Sequence, residues 1–475
     1  MLGDRSCESY LLFASSCQQG TEWDYMYNGK RSRELAESDG NCRETKLAKL
    51  SSDDSSSDDN NVIHRHSIGL DKPDFINQSD EDSLLGSMVD SPEEQSEEDD
   101  DKGFLDSHEV EDGSGENGGG VSSDSDSLIQ PIGKDNSISC LIRCSRSDYG
   151  SIASLNRSFR SLIRSGEIYK LRRLNGVIEH WVYFSCQLLQ WEAFDPIRYR
   201  WMNLPRMPHN DCFIFSDKES LAVGTELLVF GKEVTSQVIY TYSILTNSWT
   251  SGTSMNAPRC LFGSASLGEI AILAGGCDSQ GNILSSAEMY NSETQKWETL
   301  PSMNKARKMC SGVFMDRKFY VIGGVGGVGK DTRVLTSGEE YDLETKKWTE
   351  IPNMSPGRNG APGDAAAGAP PLVAVVNDEL YAADYADMEV KKYDKERNSW
   401  LTIGRLPERA VSMNGWGLAF RACGDRLIVI GGPRTSGEGF IELNAWVPSQ
   451  GPPQWNLLAR KQSGGFVYNC AVMGC

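Results

Sequence analysis

The chain has 475 residues and a formal net charge of −20 at pH 7. This length allows two or three domains, and the acidic balance argues against direct nucleic-acid binding. The 13 cysteines include no CxxC pair, which favours a reduced intracellular protein without a zinc site or disulfide framework. No apolar stretch reaches membrane-spanning length and no signal peptide is visible. We therefore expect a protein of the nucleus, the cytoplasm or both, with no membrane partner.

The acidic charge is concentrated in one segment near the N-terminus. Residues 51–127 contain 24 Asp and Glu but only three Lys and Arg, and they are rich in Ser and Gly. A segment of this composition cannot bury enough apolar surface to offset its chain entropy. The sequence therefore predicts that residues 1–127 are disordered, and that the remainder of the chain is nearly neutral.

Residues 128–175 change to helical spacing. Ile138, Leu141 and Ile142 lie at i, i+3 and i+4, and a second apolar stripe follows. That stripe contains Ile152, Leu155, Phe159, Leu162 and Ile163. Three arginines (Arg157, Arg160 and Arg164) fall on the opposite face. This pattern predicts a small all-α unit.

Six tryptophans then recur at intervals of 48, 48, 51, 52 and 55 residues: Trp201, Trp249, Trp297, Trp348, Trp400 and Trp455. An aromatic residue lies seven positions before the first five of them, and an apolar run ending in small residues lies further upstream. Each unit thus holds about four short strands. A repeat of this size predicts a β-propeller whose tryptophans pack between blades.

The ends of the repeat predict how the ring closes. The first unit begins at its second strand near Trp181, and the last apolar run, residues 466–473, has no tryptophan after it. We therefore predict a mainly β domain over residues 176–475 with six blades, in which the C-terminal strand completes the first blade and removes an exposed sheet edge.

Two resemblances accompany these patterns. The order of Gly-Gly, Tyr and Trp at this spacing resembles the kelch repeat, and residues 147–169 resemble the F-box that precedes kelch repeats in plant proteins. The F-box resemblance implies binding to the Skp-type adaptor of a cullin-based SCF ubiquitin ligase. A family F-box usually opens with Leu-Pro and an acidic residue, whereas this chain has Ile132-Gly133-Lys134-Asp135.

Adaptor binding of this kind requires an apolar helical surface that fits a hydrophobic groove. The candidate residues are Ile129, Ile132, Ile138, Leu141, Ile142 and Leu155. Each of them is equally compatible with a place in the internal core of the helical unit, and the sequence leaves the two interpretations open.

Candidate target-binding residues lie just before the inner strands. Four arginines, Arg259, Arg307, Arg358 and Arg409, follow a blade tryptophan by nine or ten residues. They are expected near one mouth of the channel, where a ring of guanidinium groups would bind carboxylates or phosphates. The alternative is that they satisfy carbonyls and acids at the blade ends. Asn414 and Trp416 are further candidates at this mouth.

The sequence offers little support for catalysis. The run Gly324–Lys330 resembles a phosphate-binding loop, but the residues after it lead into a strand and not into the helix that such a loop requires. We expect an inter-strand loop there and no cofactor. The propeller region contains only His180 and His209, too few for the copper site of kelch-type galactose oxidases.

Three functions remain open from the sequence. The first is the substrate-recognition subunit of an SCF-type ligase, which performs no bond chemistry and binds an unknown target protein. The second is a kelch interaction scaffold outside any ligase, favoured by the missing Leu-Pro. The third, a metal-dependent propeller enzyme, has the least support.

Overall fold

The structure is a computed structural model. It describes residues 128–129, 131–187, 190–208, 213, 216, 218–233, 236–327, 332–357, 369–408, 415–432, 439–462 and 467–475. The acidic region 1–127, for which the sequence predicts disorder, lies outside the described residues. No helix in the described ranges is long and apolar enough to cross a membrane.

In the described part of the chain, four short helices precede the strands. They are α1 (Gly133–Leu141), α2 (Tyr149–Leu155), α3 (Arg157–Arg164) and α4 (Glu167–Leu174). A 3-10 turn over Arg146–Asp148 joins α1 to α2, and the Ser145 side chain accepts a hydrogen bond from the backbone N–H of Ser147 at its start.

Six four-stranded antiparallel sheets follow. Blade 1 contains β1 (His180–Gln187), β2 (Gln190–Asp195), β3 (Arg200–Asn203) and the last strand, β26 (Asn469–Gly474). Blade 2 contains β4 (Glu219–Val223), β5 (Glu226–Lys232), β6 (Gln237–Ser243) and β7 (Ser248–Ser251). Blade 3 contains β8 (Gly263–Leu267), β9 (Ile270–Ala274), β10 (Ala287–Asn291) and β11 (Lys296–Leu300).

The other three blades repeat this order. Blade 4 contains β12 (Ser311–Met315), β13 (Lys318–Ile322), β16 (Gly338–Asp342) and β17 (Lys347–Ile351), with a small hairpin of β14 (Val325–Gly326) and β15 (Arg333–Val334). Blade 5 contains β18 (Val373–Val376), β19 (Glu379–Asp384), β20 (Glu389–Asp394) and β21 (Ser399–Arg405). Blade 6 contains β22 (Ala419–Cys423), β23 (Arg426–Gly431), β24 (Phe440–Trp446) and β25 (Asn456–Gln462).

The blades form a closed ring around an axis. The strands that contact a neighbouring blade on each side are β4, β8, β12, β18, β22 and β26, and β22 contacts β26, which in turn contacts β4. These six are therefore the inner strands. β26 pairs with β1 from His180–Gly474 to Ser185–Asn469, so the C-terminal strand is the inner strand of blade 1. The prediction of a six-bladed propeller is confirmed.

The repeated tryptophans belong to the outer edge of the blades. Trp297 on β11 lies opposite Tyr290 on β10, with ring centroids 4.9 Å apart. Its indole N–H donates to the carbonyl of Thr253 in the connection from the preceding blade, at 2.9 Å. Four other tryptophans make the same type of bond, three to the preceding connection and Trp455 to the last residue of the preceding outer strand: Trp249, Trp348, Trp400 and Trp455. The repeat thus ties each of these blades to its neighbour.

Antiparallel pairing gives the propeller two different ends. In blades 2 to 6 the turn from the inner to the second strand and the connection from the third to the outer strand lie at one end, which we call the lower face. In blade 3 these are residues 267–270 and 291–296. The connection from the second to the third strand and the connections between blades lie at the opposite end, the upper face. In blade 3 these are residues 274–287 and 251–263.

The Gly-Gly pairs allow a close approach at the upper face. Gly275 and Gly276 have φ of +72° and +92°. A Cβ on Gly275 would lie 2.3 Å from the carbonyl oxygen of Arg307, and a Cβ on Gly276 would lie 2.4 Å from that of Cys260. Only glycine fits because both the backbone conformation and the space exclude a side chain.

Candidate adaptor-binding and target-binding surfaces

The four helices share a small hydrophobic core with the propeller. Tyr149 on α2, Phe159 on α3 and Ile168 on α4 are buried and belong to one cluster with Trp181, Tyr183 and Met473 of blade 1. Because this cluster is continuous, the helical segment is packed on the propeller and is not suspended on a flexible linker.

Asn156 divides the second apolar stripe between two helices, α2 and α3. Its backbone is extended, with φ −157° and ψ 175°, and its side-chain oxygen accepts a hydrogen bond from the N–H of Phe159 at 2.8 Å. This N-cap starts α3 in a new direction. The prediction of one apolar stripe through Leu155 and Phe159 is therefore wrong: Phe159 is buried, whereas Leu155 is 70% exposed.

Arg146 fixes the helical segment to blade 1. Its guanidinium donates to the carbonyl of Glu179 at 3.2 Å and to the Tyr183 hydroxyl at 3.0 Å, and it lies 4.7 Å from the centroid of the Trp181 ring. Burial raises the pKa of the Tyr183 phenol, so this hydroxyl stays neutral and accepts from Arg146 without forming an ion pair.

Arg172 joins the helices to each other and to the start of the propeller. It is fully buried, and it donates to the carbonyl of Ile142 at 2.8 Å and to the Tyr149 hydroxyl at 3.1 Å. Its guanidinium also lies 3.3 Å from the Glu179 carboxylate. The backbone of Glu179 in turn exchanges two hydrogen bonds with Cys475, the last residue. One buried network therefore connects the helices, β1 and β26.

Two ion pairs extend this attachment across the lower face. Arg173 pairs with Glu269, in the turn between β8 and β9. Lys170 pairs with Glu293, in the turn between β10 and β11, at 2.7 Å. Both partners belong to lower-face turns of blade 3. The helical segment thus occupies the lower face, and the upper face remains at the other end of the blades.

The arginines of the upper face are inside the blades. Arg259 donates to the carbonyl of Ser286 at 2.7 Å and pairs with Glu288 at 2.6 Å. Arg307 repeats the arrangement one blade later, with the carbonyl of Ser337 at 3.0 Å and Glu339 at 2.7 Å. All four charged side chains are buried. Each carboxylate also accepts two backbone N–H groups from the same inter-blade connection.

Comparison with known proteins identifies the family. The kelch motif is matched at residues 258–304 and 306–355. Over 494 aligned residues the chain is 61% identical to the F-box/kelch-repeat protein SKIP11 of Arabidopsis thaliana, covering 100% of both chains. It is 70% identical to the F-box/kelch-repeat protein At1g26930 of the same plant, over 75% of this chain and 85% of the relative. The chain belongs to the F-box/kelch-repeat family.

In this F-box/kelch-repeat protein, the six candidate adaptor-binding residues differ in solvent exposure. Leu141 and Ile142 are buried, which agrees with the internal-core interpretation that the sequence left open. Ile129 and Ile138 are partly buried and pack against the same cluster. Only Ile132, 39% exposed, and Leu155, 70% exposed, present apolar surface outward. Leu174, the last residue of α4, and Ile178, which lies before β1, are also exposed, and the apolar spacing did not point to either of them.

The candidate target-binding residues also differ in exposure. The expectation of an exposed arginine ring is wrong for Arg259 and Arg307, because their guanidinium groups are buried against carbonyls and carboxylates. Both arginines instead fit the alternative interpretation, in which they satisfy carbonyls and acids at the blade ends. Arg358, Arg409 and Asn414 lie outside the described residues. Trp416 is described, partly buried, in the connection before β22.

The residues around the suspected phosphate-binding loop form strands. Val325–Gly326 pairs with Arg333–Val334, so a hairpin stands where the fingerprint requires a helix, and residues 328–331 lie outside the described part. No group of three or more His, Cys, Asp or Glu side chains in the described ranges is placed to hold a metal ion.

Proposed function

We propose that this F-box/kelch-repeat protein is a substrate-recognition subunit of an SCF-type ubiquitin ligase. Residues 128–175 act as the F-box that binds a Skp-type adaptor and through it a cullin, and the propeller binds the target protein. The observation that carries this proposal is the fixed attachment of the helices to the lower face, with Ile132 and Leu155 directed outward.

The mechanism is proximity and not bond chemistry. A target bound at one end of a rigid receptor is held at high effective concentration near the ubiquitin carried by the ligase. The buried network of Arg146, Arg172 and Glu179 serves this role because it restricts rotation between the helices and the propeller. A flexible connection would lower that effective concentration.

Target recognition falls to the upper face in this proposal. The connections between blades at this face are longer than the lower-face turns of blades 2 to 5, and such loops on a rigid scaffold commonly carry specificity. Trp416 remains a candidate there, as do Arg358, Arg409 and Asn414 from the sequence alone.

Binding to a purified Skp-type adaptor tests the proposal. Replacement of Leu155 by Asp should weaken adaptor binding roughly 10-fold to 100-fold, because full burial of a leucine contributes about 1.5–3 kcal/mol. Ile132→Asp should act in the same direction with a smaller effect, since less of Ile132 is exposed. Leu457→Asp on β25 is the matched control: Leu457 is 54% exposed on a propeller strand and should not affect binding.

The outcomes distinguish the open functions. If the full-length protein does not bind the adaptor while another F-box protein does in the same assay, the scaffold function replaces the ligase function. If the wild type binds and neither helical variant weakens the complex, the ligase role stands but the assigned surface is wrong.

A further inference from the structure

Two cysteines face each other at the upper face of blade 3. The sulfur atoms of Cys260 and Cys277 are 3.5 Å apart. Cys260 lies in the inter-blade connection before β8, and Cys277 lies in the connection between β9 and β10. The two sulfur atoms therefore lie between two segments that are already linked by backbone hydrogen bonds and by the Arg259 side chain.

The backbone around the pair already has the geometry of a disulfide. The N–H of each cysteine donates to the carbonyl of the other, at 3.0 and 2.8 Å, which makes them directly opposed antiparallel residues. Such hydrogen-bonded pairs have Cα atoms about 5.5 Å apart, within the ~4.4–6.8 Å that disulfides bridge. To form the bond, the two sulfur atoms must move from 3.5 Å apart to about 2.05 Å.

The fold does not require cysteine at these positions. In blade 4 the equivalent residues are Lys308 and Val325, which exchange the same two backbone hydrogen bonds, at 2.9 and 2.8 Å. The kelch architecture is therefore built equally well without sulfur. The pair is a property of this blade and not of the repeat.

The two thiols differ in their exposure to solvent. Cys260 is partly exposed, whereas Cys277 is fully buried. An oxidant in solution therefore reaches Cys260 first, and Cys277 is the neighbouring thiol that resolves the product. Burial raises the pKa of Cys310 and Cys470 to about 11 and that of Cys423 to about 12, so these thiols stay protonated and unreactive.

We propose that Cys260 and Cys277 form a redox-modification site, in which a peroxide converts the two thiols into an intramolecular disulfide. The Cys260 thiolate attacks one peroxide oxygen, the O–O bond breaks, and a sulfenic acid and hydroxide form. The Cys277 sulfur then attacks the Cys260 sulfur, and its proton leaves with the expelled hydroxide as water. The two thiols lose two electrons and two protons in total, and hydrogen peroxide becomes two molecules of water.

The cross-link would act on the upper face. It joins the connection at 251–263 to the connection at 274–287, and Cys277 is also bridged to Ile283 in the returning part of the latter. Oxidation therefore restrains two neighbouring upper-face segments, and a thiol reductant releases them. Intracellular disulfides of this kind are typically transient and redox-sensing. The site stands whether or not the protein joins a ligase.

Mass spectrometry of the full-length protein tests the site. Reduced protein is treated with hydrogen peroxide, its remaining thiols are alkylated, and it is cleaved after glutamate. Glu269 lies between the two cysteines, so a cross-link leaves two peptides joined until dithiothreitol is added. We expect both thiols to be lost to alkylation together and restored together by the reductant.

Two kinds of variant make the result specific. In Cys260→Ser, Cys277 should remain reduced after peroxide, because the accessible thiol is gone. Cys140→Ser removes an exposed thiol of α1 and should leave the cross-link unchanged. The proposal is overturned if Cys260 stays reduced, or is oxidised to a sulfinic acid, while Cys277 remains fully alkylatable.

Discussion

The two faces of the propeller are built from different backbone, and this difference separates their roles. The lower-face turns of blades 2 to 5 are short and similar in length, and in blade 3 they carry the two carboxylates that pair with α4. In blade 6 the connection from β24 to β25 is longer and contains a 3-10 helix. Upper-face connections differ between blades in length and content: blade 4 adds a hairpin, and blade 3 adds a cysteine pair. Turns of similar length provide a surface to which the helices attach, whereas connections that differ between blades provide binding specificity.

Buried arginines at the two faces show the same contrast. On the lower side, Arg146 and Arg172 connect the helices to the propeller. On the upper side, Arg259 and Arg307 each link the inter-blade connection in which they lie to the following blade. A guanidinium at a channel mouth is thus not by itself a binding group. The partners of each arginine decide its role.

The largest effect is expected from breaking an upper-face pair. Glu339→Ala leaves the buried Arg307 without its carboxylate and removes the acceptor of two backbone N–H groups. The free energy of unfolding should fall by about 3–5 kcal/mol, measured by urea denaturation. Glu350→Ala in the same blade is the control, since its pair with Lys305 is largely exposed and should be worth at most ~1 kcal/mol. Equal losses for the two variants would contradict a structural role for the buried pair.

Breaking the lower-face network should have a smaller and more local effect. Arg172→Leu removes hydrogen bonds to Ile142 and Tyr149, and we expect a loss of about 1.5–3 kcal/mol, because Glu179 keeps contacts with Arg146 and Arg198. Hydrogen exchange should become faster in α1–α4 and stay unchanged in the inner strands.

Arg157→Leu is the control for that experiment, because Arg157 is exposed on α3 and surface substitutions usually change stability by less than about 0.5 kcal/mol. Uniformly faster exchange over the whole propeller would show that the two regions unfold as one unit, and the contrast between the faces would then not extend to their stability.

The sequence predicted the fold well because its signals are repeated. Each of the first five tryptophans occurs with an aromatic seven residues earlier, and in the structure Tyr341 and Trp348 are directly opposed on neighbouring strands. The last apolar run was expected to complete the first blade, and β26 pairs with β1 there. A pattern that occurs several times remains readable even where single copies depart from it.

The candidate surfaces were predicted less well because they depend on single residues. One asparagine, Asn156, turns Leu155 away from the apolar stripe, and periodicity alone cannot detect such a cap. Likewise the spacing of Arg259 and Arg307 gives their position but not their partners. The carboxylates that pair with them lie about 30 residues further along the chain. Only the pairing register of the strands brings residues so far apart in sequence into contact.

The smallest expected effect concerns the pH dependence of the lower face. His180, at the start of β1, lies close to the backbone of Gly424 and Gly474. Burial, with a further contribution from the charge of Arg146, lowers the pKa of His180 below its ordinary value of 6.5, while Asp425 acts in the opposite direction. The unfolded chain therefore binds a proton at this position before the folded protein does. Stability from this group is fully present above pH 6.5 and is lost as the pH falls through the lowered value.

His180→Gln should remove this dependence while keeping a side chain of similar size. The difference in unfolding free energy between wild type and variant should be constant above about pH 7.5 and should shift against the wild type below pH 6.5. Urea denaturation at a series of pH values measures it, and taking the difference cancels the other titrating groups. A difference that is independent of pH would show that His180 is protonated equally in both states, and hence that the junction between blades 1 and 6 admits the charge.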